Sequence, residues 1–162
     1  MSGKTRRACQ AEVMLVCSSG GHLLQLLALS PAWDGRSRVW VTFDKSDARS
    51  LLVGERLIFG RGPTNRNIRN LLANLALSWR IVRRERPRVL LTTGAGLAVP
   101  FAWTARLFGA RVFYIESLTR FQGPSLSCRL IAPVAHRLYV QWPELAENVR
   151  HGVYCGSVVS LG

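Results

Sequence analysis

Short apolar runs alternate along this chain with longer segments of helical periodicity. Rich in β-branched and aromatic residues, the runs predict strands at residues 12–17, 38–43, 56–59, 88–92, 111–115, 137–140 and 153–155. Helices are predicted at residues 21–29, 46–52, 65–84, 97–108 and 124–132, with a short helical piece at 142–145 and a loop at 31–37. This alternation predicts an α/β fold, a single Rossmann-like doubly wound parallel sheet with helices on both faces.

The length and the hydrophobic content favour one folded domain. The chain has 162 residues, 48% of them hydrophobic, which is enough for a single core and argues against disorder. Residues 1–11 are basic and are predicted to form a flexible tail, with the Rossmann-like domain occupying residues 12–162. No apolar run reaches the roughly 20 residues that span a bilayer, so any membrane association is expected at the surface or through a partner.

The longest predicted helix has an apolar stripe along one side. The stripe recurs at spacings of three and four residues and consists of Ile68, Leu71, Leu72, Leu75, Trp79 and Val82. A helical projection places five arginines together on one flank, Arg66, Arg69, Arg80, Arg83 and Arg84. One interpretation is a core-facing helix with a solvated arginine flank. The other is that the flank contacts phospholipid head groups or another polyanion.

The overall charge narrows the choice of partner. The net charge is +13, and every basic residue except Lys4 and Lys45 is arginine. Such a surplus favours a polyanionic partner, among nucleic acid, an anionic membrane and phosphorylated ligands. Nucleic-acid binding is the weakest of these, because no reader motif is present. The four cysteines lack metal-ligand spacing, which favours reduced thiols and no metal site.

The first strand ends in a glycine-rich turn that is the strongest candidate for chemistry. Ser18, Ser19, Gly20, Gly21 and His22 lead directly into a leucine-rich helix. Glycines let a ligand approach the backbone, and a helix N-terminus offers free N–H groups to an anion. The turn is neither a GxGxxG fingerprint nor a P-loop, which argues against a dinucleotide enzyme and a P-loop NTPase. His22 is either a structural cap or a functional base or phosphate contact, because imidazole exchanges protons near neutral pH.

Two later turns are expected to meet the first one, because ligands bind at the carboxyl ends of parallel strands. The first follows the fourth strand and supplies Thr93, Gly94 and Gly96. The second follows the fifth strand and supplies Glu116, Ser117 and Arg120. Alternatively, Glu116 is a structural carboxylate, and Glu116 and Arg120 form only a salt bridge. Tyr139 and Trp142 are either core residues or, with Glu144, part of a partner surface.

Five motifs in register resemble a known family. They are residues 18–23, Thr93-Gly94-Ala95-Gly96 with Pro100, residues 115–120, residues 125–127 and residues 140–145. Over about residues 12–160 the chain resembles the asparagine-linked-glycosylation protein fourteen family. It looks closest to the bacterial exopolysaccharide and capsule members, such as the PssD-type glycosyltransferase subunits. That family resembles the N-terminal half of a GT-B glycosyltransferase, as in MurG.

The resemblance implies a subunit of a two-chain glycosyltransferase that transfers a sugar from a UDP-sugar to a lipid-diphosphate acceptor. His22 and Glu116 would face the acceptor as the catalytic residues, with Ser18, Ser19, Gly20 and the other turn residues binding its phosphates. The partner, the C-terminal GT-B half, would hold most of the UDP-sugar, so no cofactor is expected on this chain alone. The expected location is the cytoplasmic face of the cell membrane, as a peripheral protein. The alternative is a non-catalytic scaffold or enhancer that only anchors and stabilises the partner.

Overall fold

A seven-stranded parallel sheet forms the centre of the protein in a computed structural model that describes residues 10–64 and 67–158. Its strands are β1 Val13–Val16, β2 Arg38–Phe43, β3 Leu57–Gly60, β4 Val89–Thr92, β5 Arg111–Ile115, β6 Arg137–Val140 and β7 Gly152–Tyr154. Their spatial order is β3-β2-β1-β4-β5-β6-β7. The chain therefore builds outward from β1 in one direction and then in the other, and the predicted doubly wound parallel sheet is confirmed.

Helices connect the strands close to the predicted positions. They are α1 Gly21–Ala28, α2 Ser30–Trp33, α3 Ser46–Leu51, α4 Ile68–Glu85, α5 Ala98–Leu107, α6 Leu126–Ile131 and α7 Pro143–Asn148, with a 3-10 turn at Ala132–Val134. The prediction of a loop at 31–37 was wrong for its first residues. Pro31 lies in the first turn of α2, where a missing N–H costs little. Trp33 then anchors α2 by donating to the Leu26 carbonyl at 3.1 Å.

Two apolar layers cover the faces of the sheet. On one face α4, α5, α6 and α7 pack against residues such as Met14, Val112 and Leu138. On the other face α1, α2 and α3 pack mainly against the β1 and β2 side, where Trp40 is fully buried. The half of this second face formed by β4, β5 and β6 borders a cavity of about 910 Å³. The second face is therefore less completely covered by helices than the first.

Helix α4 is turned away from its predicted orientation. Its buried residues are Asn74, Ser78, Ile81, Val82 and Glu85. Of the apolar stripe only Val82 is buried, whereas Ile68 is 72% and Leu72 is 60% exposed. The stripe and the buried face are about 100° apart around the helix axis, roughly one residue's rotation. The prediction that the stripe faces the core is therefore wrong.

Hydrogen bonds to the inward polar residues explain why α4 sits this way. The Asn74 side chain accepts from the Arg61 N–H and donates to the Arg61 carbonyl, both at 2.8 Å. The Ser78 and Thr104 hydroxyl oxygens are 2.9 Å apart, between α4 and α5. Fully buried Glu85 accepts from Arg56 at 2.9 Å and from the Ala11 N–H at 3.2 Å. These bonds would be lost if the helix turned its leucines inward.

The ends of the chain are only partly described. Residues 1–9 lie outside the described residues, so the predicted basic tail stays a prediction there. Ala11, which was assigned to that tail, is instead buried and hydrogen-bonded to Glu85. Arg66 of the predicted arginine flank also lies outside the described residues. Among the helices of residues 10–64 and 67–158, none is long and apolar enough to cross a bilayer.

Candidate functional site

A cavity of about 1180 Å³ lies at the carboxyl edge of the sheet. The chain segments that follow β1, β2, β3, β4 and β5 all reach it, and they contribute Ser18, Asp44, Gly62, Gly96 and Glu116. Its position agrees with the reversal of strand order between β1 and β4, where parallel sheets open a crevice for ligands. The three turns predicted to converge are therefore brought to one edge.

His22 has a defined tautomer at this cavity. Its Nδ1 atom lies 2.7 Å from the Thr93 carbonyl oxygen, which can only accept a hydrogen bond. The Nδ1 atom therefore carries a proton, and in the neutral ring the lone pair is on Nε2. In return the Thr93 hydroxyl donates to the His22 carbonyl at 2.8 Å. These two bonds hold α1 against the turn after β4 and present a half-buried imidazole with a basic nitrogen.

Gly94 lets the turn after β4 pass close to the Tyr114 hydroxyl. Its φ of +104° is a conformation that favours glycine, and a Cβ there would lie 2.8 Å from the Tyr114 hydroxyl. The same Cβ would lie 3.6 Å from the His22 ring. Thr93 and Gly94 were predicted to bind phosphate, but the structure places them behind His22. Thr93 is hydrogen-bonded to His22, and phosphate binding by Thr93 and Gly94 stays a prediction.

The first turn is less open to an anion than the sequence indicated. The Gly20 N–H donates to the Asp47 carboxylate at 2.6 Å. Asp47 comes from α3, so a carboxylate of the chain itself already occupies the first free amide of the turn. Ser18 lines the cavity, whereas Ser19, Gly20 and Gly21 of the same turn are not part of the cavity wall. Phosphate binding by Ser18, Ser19, Gly20 and Gly21 stays a prediction.

Glu116 is buried and tightly held. One carboxylate oxygen accepts from the Tyr114 hydroxyl at 3.2 Å and from the Ser117 N–H at 2.8 Å. The other accepts from the Ser125 N–H at 2.8 Å, just before α6. Burial, reinforced by the Glu116 charge, raises the pKa of Tyr114 and brings that of the Cys128 thiol to about 12. Both groups thus stay protonated beside a carboxylate that joins β5 to α6.

The rest of the cavity wall is mixed in character. Ser117, Thr119 and Arg120 come from the loop after β5, and the Ser117 and Thr119 hydroxyl oxygens are 3.0 Å apart. Lys45 adds a second positive charge from the turn after β2. An apolar margin is supplied by Leu71 of α4, Val99 of α5, and Leu126 and Leu130 of α6. The cavity can therefore contact both a charged or hydroxylated group and a hydrocarbon.

Some of the residues in this wall were predicted from the sequence and others were not. The predicted residues that line the cavity are Ser18, His22, Gly96, Glu116, Ser117 and Arg120. The missed ones include Lys45, Thr64, Ser125 and Ser127. Residues 125–127 could have been predicted as site residues, because they form one of the five motifs that resemble the known family. Lys45 and Thr64 could not, since only the sheet brings their loops to the cavity.

The predicted partner residues lie apart from the cavity. Half-buried Tyr139 borders the second cavity, of about 910 Å³, on the face of the sheet that α1, α2 and α3 cover in part. Trp142 is also half-buried, and its Nε1 donates to the Leu118 carbonyl at 2.7 Å. Glu144 is exposed in the first turn of α7. Tyr139 and Trp142 thus pack against the domain, and their assignment to a partner surface remains a prediction.

The fold belongs to a known class. The chain superposes on MurG of Acinetobacter baumannii with a TM-score of 0.70, at 16% identity, over 88% of this chain and 45% of that one. It also superposes on a UDP-N-acetylglucosamine 2-epimerase from Rickettsia bellii with a TM-score of 0.68, at 14% identity, over 93% of this chain and 46% of that one. The chain spans less than half the length of these structures, and its fold is a Rossmann-like half of the GT-B class.

The family follows from sequence similarity. A family model described as "Oligosaccharide biosynthesis protein Alg14 like" matches residues 61–158, and the chain belongs to this family. A Homo sapiens relative is 26% identical over 91% of this chain and 82% of its own length. One from Eremothecium gossypii is 29% identical over 91% and 80%. Both are named UDP-N-acetylglucosamine transferase subunit ALG14. The predicted family is confirmed, and the bacterial exopolysaccharide branch stays a prediction.

Proposed function

We propose that this chain is the acceptor-side subunit of a two-chain GT-B glycosyltransferase. A partner chain supplies the second half of the enzyme and most of the UDP-sugar site. This chain binds a lipid-diphosphate acceptor at the cavity and recruits the partner to the cytoplasmic face of the membrane. Membership of the Alg14-like family and a fold that matches less than half of MurG support the division into two chains.

The tautomer of His22 is the observation that carries this proposal. Because Nδ1 donates to the Thr93 carbonyl, Nε2 is available to accept a proton at the cavity. In the proposed transfer the acceptor hydroxyl oxygen forms a bond to the anomeric carbon of the donor sugar. The bond between that carbon and the UDP oxygen breaks, UDP leaves with the electron pair, and Nε2 takes the hydroxyl proton.

The other candidate residues have supporting roles in this proposal. Arg120 and Lys45 contribute the positive charge that a diphosphate needs, and both line the cavity. Glu116 is held by three donors of its own domain, so we assign it to positioning Ser117 and Ser125 instead of to proton transfer. The burial of Glu116 also supports the alternative function, a non-catalytic scaffold, because a scaffold would use this carboxylate only to hold its own structure.

An exposed apolar face gives the proposal its membrane component. We define this face as Ile68, Leu71, Leu72, Leu75 and Trp79 of α4 with Trp103 and Leu107 of α5, all of them exposed. Leu71 belongs both to this face and to the cavity wall. Exposed Arg69, Arg80 and Arg83 flank it on α4. A leucine- and tryptophan-rich face beside arginines fits the interface of an anionic bilayer, and the shared Leu71 leads from the bilayer to the cavity.

Sugar transfer tests the enzymatic role. The chain is expressed with and without its candidate partner, and transfer from radiolabelled UDP-sugars to membrane lipid is measured. We expect transfer only with both chains, and a loss of about a hundredfold or more for His22→Ala. His136→Ala is the matched control, because His136 lies before β6 at the opposite edge of the sheet. It is expected to retain activity.

The outcomes separate the two functions. If His22→Ala still co-purifies with the partner and transfers sugar at the wild-type rate, the chain is a scaffold and the catalytic proposal is wrong. Transfer by this chain without a partner would contradict the two-chain enzyme. Loss of activity in both His22→Ala and His136→Ala, with normal co-purification, would remove the specific role of His22.

Vesicle binding tests the membrane role. The double variant Leu72→Glu with Trp79→Glu is mixed with vesicles of phosphatidylcholine and phosphatidylglycerol. Because burial of one leucine contributes about 2 kcal/mol, we expect binding to fall more than tenfold. Val53→Glu is the control, since Val53 is 81% exposed and follows α3, away from α4 and α5. Undiminished binding by the double variant would exclude this face as the membrane contact.

A further inference from the structure

Buried side-chain amides connect the C-terminal segment to the candidate site. Gln141, just after β6, is 3% exposed, and Gln25 of α1 is 9% exposed. The Gln141 Nε2 atom donates to the Gln25 Oε1 at 3.1 Å and to the Glu116 carbonyl at 3.0 Å. The Gln141 Oε1 atom accepts from the Val158 N–H at 2.9 Å and from the Ser157 hydroxyl at 3.4 Å. One amide therefore links three separate parts of the chain.

The orientation of both amides is dictated by their partners. The Val158 N–H is a donor and must face an oxygen, whereas the Glu116 carbonyl is an acceptor and must face the NH2 group of Gln141. Gln25 must then present its oxygen to Gln141. That same oxygen accepts from the Leu118 N–H at 3.4 Å. Neither amide can flip without placing like groups against each other.

We infer that Gln141 is a positioning residue for the proposed transfer. It sets the loop of residues 116–118 and helix α1 from the position of residues 157–158. The inference rests on the proposed function, because its consequence is the placement of acceptor-side groups. The loop contains Ser117 and leads to Arg120, which both line the cavity, and α1 carries His22. One NH2 group thus contacts elements on both sides of the cavity.

Two features make this link stiff. The Gln141 amide is planar, so holding its oxygen at Val158 also fixes the direction of its NH2 group. The neighbouring Trp142 donates to the Leu118 carbonyl at 2.7 Å, which holds the same loop from the other side. Residues 155–158 themselves border the cavity on the second face of the sheet. A displacement of residues 155–158 would therefore move Gln141, and Gln141 would move the loop after β5.

The variant Gln141→Glu breaks one side of the link selectively. A carboxylate still accepts from Val158, but it has no donor for the Glu116 carbonyl or for Gln25. Val158→Pro acts from the far end, because it removes the N–H that reaches Gln141 and leaves the loop unaltered. Ser78→Ala is the matched control. It also removes a buried hydrogen-bonding group, between α4 and α5, but it does not touch this network.

Steady-state kinetics of the complex with its partner provides the first test. For Gln141→Glu we expect kcat to fall about tenfold and the acceptor KM to rise, with the UDP-sugar KM unchanged. A purely structural loss lowers the amount of active enzyme and leaves every KM as it was. If Gln141→Glu changes only the active fraction, as expected for Ser78→Ala, the inference is wrong.

Hydrogen exchange of the full chain tests the link independently of activity. In both Gln141→Glu and Val158→Pro, the Leu118 amide is expected to exchange at least about tenfold faster than in Ser78→Ala. Unchanged exchange in both variants would overturn the inference, whatever the kinetics. If the wild-type pair transfers no sugar, the proposed function fails, and the exchange result alone decides whether Gln141 positions the loop.

Discussion

Helices α4 and α5 lie side by side on the same face of the sheet, yet they use their apolar residues in opposite ways. Helix α5 buries Phe101, Ala102 and Ala105 against the strands. Helix α4 buries Asn74, Ser78 and Glu85 and exposes most of its leucines. Helix α4 is the more strongly amphipathic of the two, yet its apolar stripe faces outward, so amphipathicity alone does not identify which side faces the core.

The contrast shows what each helix contributes. Helix α5 stabilises the domain through apolar burial, because its inward residues fill the space above β4 and β5. Helix α4 buries Ile81 and Val82, but the rest of its inward face is polar and makes hydrogen bonds to Arg61 and within the Glu85 cluster, which leaves most of its leucines outside. An apolar face that folding does not use is available for a surface contact. The proposed membrane face follows from this difference.

Truncation of a large side chain on each helix gives the largest expected effect. Phe101→Ala removes a fully buried ring from α5 and should lower the free energy of unfolding by about 3–5 kcal/mol. Leu72→Ala on α4 should change it by less than about 0.5 kcal/mol. Denaturant unfolding monitored by circular dichroism measures both. Equal losses would show that α4 buries its leucines after all.

An exchange of polar and apolar residues on α4 gives a smaller effect. Asn74→Leu makes the inward face more apolar but removes both bonds to the Arg61 backbone, so we expect a loss of about 1–3 kcal/mol. Leu75→Asn, on the exposed stripe, should be close to neutral. The same unfolding measurement checks this pair. Stabilisation by Asn74→Leu would contradict the orientation of α4 described above.

The charges beside the apolar face give a weaker effect still. Arg80→Gln and Arg83→Gln should each reduce binding to anionic vesicles by about 1 kcal/mol, and the difference should shrink at high salt. Arg150→Gln, an exposed change just before β7, serves as the control. Vesicle co-sedimentation at low and high salt checks the prediction. An equal loss for Arg150→Gln would indicate a nonspecific charge effect.

The thiols extend the contrast between buried and exposed positions. Burial raises the pKa of Cys17 and of Cys128 to about 12, so both should resist alkylation at mildly basic pH. Exposed Cys155 should react before either of them. Because unfolded thiols ionise near 9.0, the contribution of these two thiols to stability should fall as pH rises from 9.0 toward 12. Peptide mapping after alkylation and unfolding curves across that pH range check both statements.

Most of the fold was predictable because strands and connections have local signals. Buried parallel strands have such signals, since β1 is a continuous apolar run and β5 is apolar and aromatic after Arg111. Helix α2 was missed because four residues carry too little periodicity. The orientation of α4 was missed because Asn74 and Ser78 are polar in composition and become core residues only through partners at Arg61 and Thr104.

The candidate site was predictable at the level of its turns but not of its contacts. The order of strands and glycine-rich turns placed His22 and Glu116 at one edge. No local signal revealed that Asp47 occupies the Gly20 amide or that Thr93 supports His22 from behind. These contacts join residues 27 and 71 positions apart.

The sequence by itself determined the parallel α/β architecture, the family and the turns that form the site, because these depend on local periodicity and on motifs in register. The tertiary structure decided which side of α4 faces the core, which nitrogen of His22 carries the proton and how Gln141 joins the C-terminal segment to the loop after β5. Each of these depends on a hydrogen-bond partner far along the chain. Such partners become neighbours only once the sheet has assembled.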